Sequence, residues 1–348
     1  MERTISPSLR SGRFFFSLAV LLLCTSQQGF SATTKDHIDS GNGEDLAPSG
    51  KGWGEQPDAK SQELANFPGK GAPASKGPAR TKSTGISYHG GPLITSTATH
   101  IYYIWYGDWT NNNSAQNILK DFANNIGGSS YFNINTTYYD NLGIKVQNLP
   151  NAAFPNLRSP VLYSQAQATD NTGGYYPLGK SLTDSNIQQI VSTAISSGSI
   201  GNADLNAVYF VLTSADVNES SGFCTKYCGW HTHGTIAGMD IKYSFVGNPD
   251  RCPSACEWQT TSPNGNPGAD GMASIIAHEL EEAVTDPDLN AWYDTLGREN
   301  ADKCAWTFGT TSTAPNGSLY NVTLGNSNYL IQQNWVNALS GYCKMSYP

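Results

Sequence analysis

The stretch Ala277-His278-Glu279-Leu280-Glu281-Glu282-Ala283-Val284-Thr285-Asp286-Pro287 carries a His and a Glu one helical turn apart, with a second Glu directly after the His. Zinc helices of the H-E-x-x-H type have this layout: metal ligands at i and i+4, and a general base at i+1. Glu282 stands at the second ligand position, and a carboxylate is an acceptable zinc ligand. The spacing therefore assigns His278 and Glu282 as metal ligands and Glu279 as catalytic base. At about 100° per residue, Met272, Ile275, Ile276, Leu280, Ala283 and Val284 fill one apolar arc. His278 and Glu282 lie on one flank of that arc, about 40° apart. Glu279 falls inside it, where a carboxylate is costly unless paired, protonated or linked to a metal. Glu281 is predicted to face water. The same pattern also describes an acidic surface helix with one stray Glu.

A zinc site needs a third protein ligand and an open position for water. In Gly297-Arg298-Glu299-Asn300-Ala301-Asp302-Lys303-Cys304, Glu299 is the first choice and Asp302 the second. His231-Thr232-His233 is a further candidate, because residues i and i+2 of an extended segment face the same side. His231 would serve there either as a ligand or as a group that stabilises the oxyanion formed during hydrolysis. Asp286 completes the acidic set. With zinc present, Glu279 would take the proton from water and pass it to a leaving amine. Serine and cysteine nucleophile schemes find less support: there is no G-x-S-x-G, and the cysteines are expected to be paired.

These residues need a frame. His100 to Trp105 and Ala207 to Leu212 read as buried strands. Ser114 to Ile126 and Asp184 to Ser197 have helical spacing, the latter capped by Thr183 or Asp184. Tyr88-His89-Gly90-Gly91-Pro92 reads as a turn between short strands. Strands and helices mix irregularly with no internal repeat. That predicts an α+β fold with one zincin-like domain over residues 87–348, built around the zinc-type helix.

The N-terminus reads differently. Arg3, Arg10 and Arg13 precede the apolar run Phe14 to Cys24, and small residues at Gly29 and Ser31 suit cleavage after Ser31. This is a secretory signal peptide over residues 1–31. No later run is long and apolar enough to span a bilayer, so no membrane association is expected after cleavage. Residues 32–84 are rich in Gly, Pro, Ala, Ser and Lys, which predicts a disordered leader or propeptide. Trp53 and Phe67 are its only large aromatics and would mark a short docking segment.

The cysteines fit export. Seven are present, and removal of Cys24 leaves six: Cys224, Cys228, Cys252, Cys256, Cys304 and Cys343. An even count in an exported chain predicts three disulfides among fifteen possible pairings. The expected pairing is local for the two C-x-x-x-C pairs, with Cys304 to Cys343 as the third. Sequons at Asn112, Asn135, Asn218, Asn316 and Asn321 would place glycans on surface loops. A net charge of −8, with no basic patch interleaved with aromatics, argues against nucleic acid as a partner.

Several segments resemble one known family. They are Tyr88-His89-Gly90-Gly91-Pro92, Ile104-Trp105-Tyr106-Gly107-Asp108-Trp109, Phe223-Cys224 through Cys228-Gly229-Trp230-His231, and Cys252-Pro253 to Cys256. Ala277-His278-Glu279-Leu280 with Glu282, Asn290-Ala291-Trp292-Tyr293, Asp302-Lys303-Cys304, Asn334-Trp335 and Tyr342-Cys343 follow in order. The set resembles the Exordium family of plants, also called the phosphate-induced protein 1 family, and its microbial relatives. The resemblance implies a secreted, extracellular or cell-wall protein linked in plants to growth and cell expansion. It implies no settled catalytic activity. Asp286 stands where plant members commonly carry Asn, which makes it less attractive as an essential ligand. Three functions stay open: a secreted zinc metallohydrolase acting on protein; a non-catalytic protein that binds cell-wall polysaccharide or a protein partner; and a structural calcium or zinc site without turnover.

Overall fold

Seven consecutive residues, Ala207–Thr213, five of them β-branched or aromatic, are buried on both faces, as a central parallel strand requires. The structure, a computed structural model of the chain, describes residues 48–49, 51, 85–95, 99–109, 112–149, 161–162 and 176–348. The signal segment and nearly all of the leader lie outside the described residues. All described residues fall within the unit 44–348.

In chain order the first elements are β1 (Ser87–Tyr88), β2 (His100–Tyr106), α1 (Asn113–Asn125), β3 (Val161–Leu162), β4 (Ser181–Leu182) and α2 (Asp184–Ser196). Then come β5 (Ala207–Thr213), β6 (Asn218–Glu219), β7 (Gly229–Ile236), β8 (Met239–Val246), α3 (Pro267–Thr285) and β9 (Trp292–Tyr293). The central sheet has the order β3-β2-β5-β8-β7. Strands β3, β2, β5 and β8 run parallel, and β7 closes the edge antiparallel to β8. Small hairpins follow: β10–β11 (Ser312–Thr313, Leu319–Tyr320), β12–β13 (Val322–Leu324, Ser327–Tyr329) and β14–β15 (Asn334–Val336, Tyr342–Lys344). This mixture of strands and few helices agrees with the α+β class.

The β7–β8 hairpin turns through Ala237 and Gly238, with φ of 53° and 76°. Two left-handed residues match the right-handed twist of the flanking strands. The register pairs His231 with Ser244. Alternate residues of β7 face opposite sides. A Cβ on Gly229 would meet Ile275 and Glu279 of α3, whereas one on Gly234 would meet Gln188 of α2. His231 therefore faces α3, and Trp230 faces away from it.

Helix α3 begins where Asn266 accepts from the Ala269 amide at 3.0 Å and Pro267 opens the first turn. From Met272 to Thr285 every residue is buried. The sheet covers one side of the helix; α1 and the segment around β14 cover others. Glu281, expected to face water, is fully buried and accepts from Asn334 Nδ2 at 2.6 Å. The helical period located the apolar arc, but not the C-terminal segment that covers the opposite face.

The disulfides are interlaced rather than local. Cys224 bonds Cys252, Cys228 bonds Cys256, and Cys304 bonds Cys343 as expected. The β7–β8 hairpin carries the chain out and back, so the second C-x-x-x-C segment lies beside the first. Among the sequons, Asn135 is buried, and the side-chain amides of Asn316 and Asn321 donate to backbone carbonyls of Ser262, Phe308 and Ile331. Asn135 is thus not a surface position, and Asn316 and Asn321 have their side-chain amides already engaged. No helix among the described residues is long and apolar enough to cross a membrane.

Candidate metal centre

Helix α3 presents His278 and Glu282 to one point, with His278 Nε2 at 3.0 Å from Glu282 Oε1. The loop after β9 brings Asp302 there: its Oδ1 lies 3.6 Å from His278 Nε2, and its backbone amide donates to Glu282 Oε1 at 3.0 Å. From the edge strand, His231 Nε2 reaches to 3.6 Å of Glu282 Oε2 and 3.2 Å of Glu299 Oε2. Two overlapping sets of potential ligand atoms result, His278–Glu282–Asp302 and His231–Glu279–Glu282, each with all its atoms within 4.8 Å of one another. Glu282 belongs to both.

His231, His278, Glu279, Glu282 and Glu299 are all essentially buried, and Asp302 nearly so. Glu299 contacts His231 and lies outside both ligand sets; Asp302, the second choice, lies inside one. Asp286 caps the end of α3, where its Oδ1 accepts from the amides of Asn290 and Ala291, both at 2.6 Å. His233 shares the face of His231 but leads elsewhere. It joins Asp240 at 2.8 Å and Asp288 at 3.7 Å, where the Lys242 ammonium already supplies positive charge.

The electrostatics are those of a site short of positive charge. Glu279, Glu281, Glu282, Asp286, Glu299 and Asp302 are buried around two imidazoles. Burial pushes Glu281 up to about 8 and Asp286 up to about 7. Burial, then the neighbouring Asp302, pushes Glu282 up to about 7. Burial, then Glu282, holds Glu299 well above the usual carboxylate range. Burial pushes His231 down to about 3, which leaves a neutral ring able to donate a lone pair. His231 Nδ1, Glu282 Oε2 and Glu299 Oε1 have no hydrogen-bond partner among the described residues. Buried polar atoms without partners are rare and costly. Neutral imidazole and carboxylate donors suit zinc, and the partnerless carboxylate oxygens of Glu282 and Glu299 fit a cation.

Sequence reasoning missed the burial of Glu281 and the roles of Asn334 and Asn300. Asn300 donates to the Glu281 carbonyl at 3.0 Å and so ties the Asp302 loop to α3. No periodicity signals such a contact. Asn334 did lie in a family-like segment, and that was the available hint.

The phosphate-induced protein 1 conserved region matches residues 86–338. Protein EXORDIUM-like 3 of Arabidopsis thaliana is 32% identical over 290 residues, which covers 74% of this chain and 82% of the relative. Protein EXORDIUM of the same plant is 29% identical over 244 residues, covering 62% and 70%. Protein PHOSPHATE-INDUCED 1 of Nicotiana tabacum is 29% identical over 230 residues, covering 60% and 67%. No solved structure matches the chain. The motifs around the cysteines, the α3 helix and the Asp302 loop all fall inside the matched region, and the chain belongs to the phosphate-induced protein 1 family, the family of Exordium.

Proposed function

We propose that this protein is a secreted metalloprotein whose centre holds a zinc-type divalent ion on His278, Glu282 and Asp302. The observation that carries this reading is the buried convergence of those three side chains, with Glu282 shared by His231. Six buried carboxyl groups around two imidazoles are poorly compensated without a cation. The signal-like N-terminus and the three disulfides support export to the extracellular space or cell wall.

A hydrolytic role for the same centre is a second reading, favoured by Glu279. Its carboxylate is grouped with His231 and Glu282 yet is separate from the His278–Glu282–Asp302 set. A bound zinc ion would acidify water and polarise a carbonyl. The Glu279 carboxylate would accept the proton from water in the site and return it to a leaving amine. His231 would donate to oxygen as charge builds there, and Glu299 would orient its ring. The zincin-like description of the domain belongs with this reading. It is supported by α3 crossing the sheet beside the edge strand that carries His231. Burial weighs toward a structural ion: His231, His278, Glu279 and Glu282 are at most 1% exposed, so substrate would need a covering element to move. A protein without turnover that binds cell-wall polysaccharide or a protein partner is compatible with that outcome.

The test is elemental analysis of secreted, purified protein with Glu282→Ala as control, followed by turnover assays on protein substrates. One equivalent of zinc in wild type and none in the variant supports the metal centre. Zinc-free wild type that cannot be loaded overturns it.

A further inference from the structure

Lys51 lies in the stretch whose composition reads as leader, yet residues far along the chain hold its side chain. Its ammonium donates to Asp184 Oδ2 at 2.6 Å and to Ser221 Oγ at 2.7 Å. The same nitrogen stands 5.4 Å from the centre of the Tyr227 ring and 5.5 Å from that of Trp230. A carboxylate, a hydroxyl acceptor and two aromatic faces together suit a primary ammonium: the first supplies charge, the second a directed hydrogen bond, the rings a negative π surface.

The cage is held together without Lys51. Asp184 opens α2, where the Thr183 capping box fixes the first turn. Ser221 Oγ lies 2.8 Å from both Asp184 Oδ1 and Glu219 Oε2. The Tyr227 hydroxyl donates to the buried Glu219 carboxylate. Trp230 packs against Tyr243 and Phe245 on the sheet face opposite His231. The rings and Glu219 are buried, whereas the Asp184 and Lys51 side chains are 44% and 24% exposed. The site is therefore a polar and aromatic recess with one solvent-facing acid at its mouth, open to a cation on a flexible stem.

We propose that Asp184, Ser221, Tyr227 and Trp230 form a recognition site for a lysine side chain, and that Lys51 of the chain's own N-terminal segment occupies it in cis. The inference is independent of the metal centre, which lies on the other face of the sheet. A tethered occupant competes at high effective concentration, so the intact chain resists the same ligand added from outside.

The full-length Lys51→Ala variant empties the cage. The probe is an end-capped synthetic peptide of residues 48–54, Pro-Ser-Gly-Lys-Gly-Trp-Gly, followed by calorimetry or fluorescence anisotropy. It is expected to bind Lys51→Ala at least about tenfold more tightly than wild type. A peptide with Met in place of Lys should not bind, and adding Asp184→Asn to the variant should remove at least about tenfold of the affinity. Equal binding to wild type and variant, binding of the Met peptide, or no binding to a folded variant overturns the proposal. If Lys51→Ala does not fold, hydrogen exchange on the Asp184→Asn chain decides. Faster exchange around Lys51 supports the cage, and unchanged exchange overturns it.

Discussion

His231 Nε2 lies 3.6 Å from Glu282 Oε2, so a strand at the sheet edge and a helix in the core meet on one carboxylate. The other oxygen of that carboxylate faces His278 at 3.0 Å. Glu282 is thus the junction of the centre, and its environment sets the order in which substitutions should matter.

Zinc affinity should fall most for Glu282→Ala and His278→Ala, by at least about a hundredfold, because direct ligands exceed the tenfold to hundredfold typical of supporting residues. Asp302→Ala should follow, and Glu299→Ala should cost only about tenfold, since Glu299 contacts His231 and lies outside the His278–Glu282–Asp302 set. Competition titration with a chelating dye measures all four. A larger loss for Glu299→Ala than for Asp302→Ala would exchange their roles.

Glu279→Gln separates the structural from the hydrolytic centre. The variant should fold and keep its zinc, because Glu279 stands outside the His278–Glu282–Asp302 set. If wild type hydrolyses protein substrates, turnover in the variant should drop by about a hundredfold or more, because an amide cannot accept the proton. Unchanged turnover would remove Glu279 as the base.

Stability without metal should rise on acidification. Glu281 is pushed up to about 8, and Glu282 and Asp286 up to about 7, whereas such groups titrate near about 4 when unfolded. Between those limits the folded chain binds more protons than the unfolded one. Their contribution is therefore fully present below about 4 and lost as pH rises through about 7 to 8. His231, pushed down to about 3, opposes this below about 6.5, one proton against three. Chelator-treated protein should melt higher near about pH 5.5 than near about pH 8. Zinc-loaded protein should show the reverse, because protons compete for the ligands. Differential scanning fluorimetry with and without chelator decides, and parallel curves would argue against a bound cation.

Disulfide mapping should recover Cys224–Cys252 and Cys228–Cys256, each closing a separation of 28 residues. Loops of that length predict a loss of about 3–4 kcal/mol when one bridge is removed as a Cys228→Ala/Cys256→Ala pair. Recovery of Cys224 linked to Cys228 would refute the interlaced frame.

Gly229→Ala tests the closeness of β7 and α3. The added methyl would stand 2.5 Å from Ile275 Cγ2 and 3.2 Å from Glu279 Oε1. Overpacking of this kind costs about 1–3 kcal/mol, readable by denaturant unfolding. A neutral substitution would mean that the two elements are looser than the geometry indicates.

Local order in the chain was enough to place the helices and the strands β2 and β5, because hydrophobic period and capping are encoded within a few residues. It also put His278 and Glu282 on one flank of α3, since residues four apart are neighbours on any helix. The parity of the cysteines and the Cys304–Cys343 bridge were legible too. Tertiary structure alone decided the rest. The β14 segment buries Glu281 by covering a helix face that periodicity assigned to water. Asp302 rather than Glu299 joins His278 and Glu282, because Asn300 and the Asp302 amide tie that loop to α3 through contacts with no sequence period. The hairpin that carries His231 toward Glu282 also returns Cys252 and Cys256 to Cys224 and Cys228. Contacts of this kind depend on which surfaces meet when the chain closes on itself, and spacing along the sequence does not encode that.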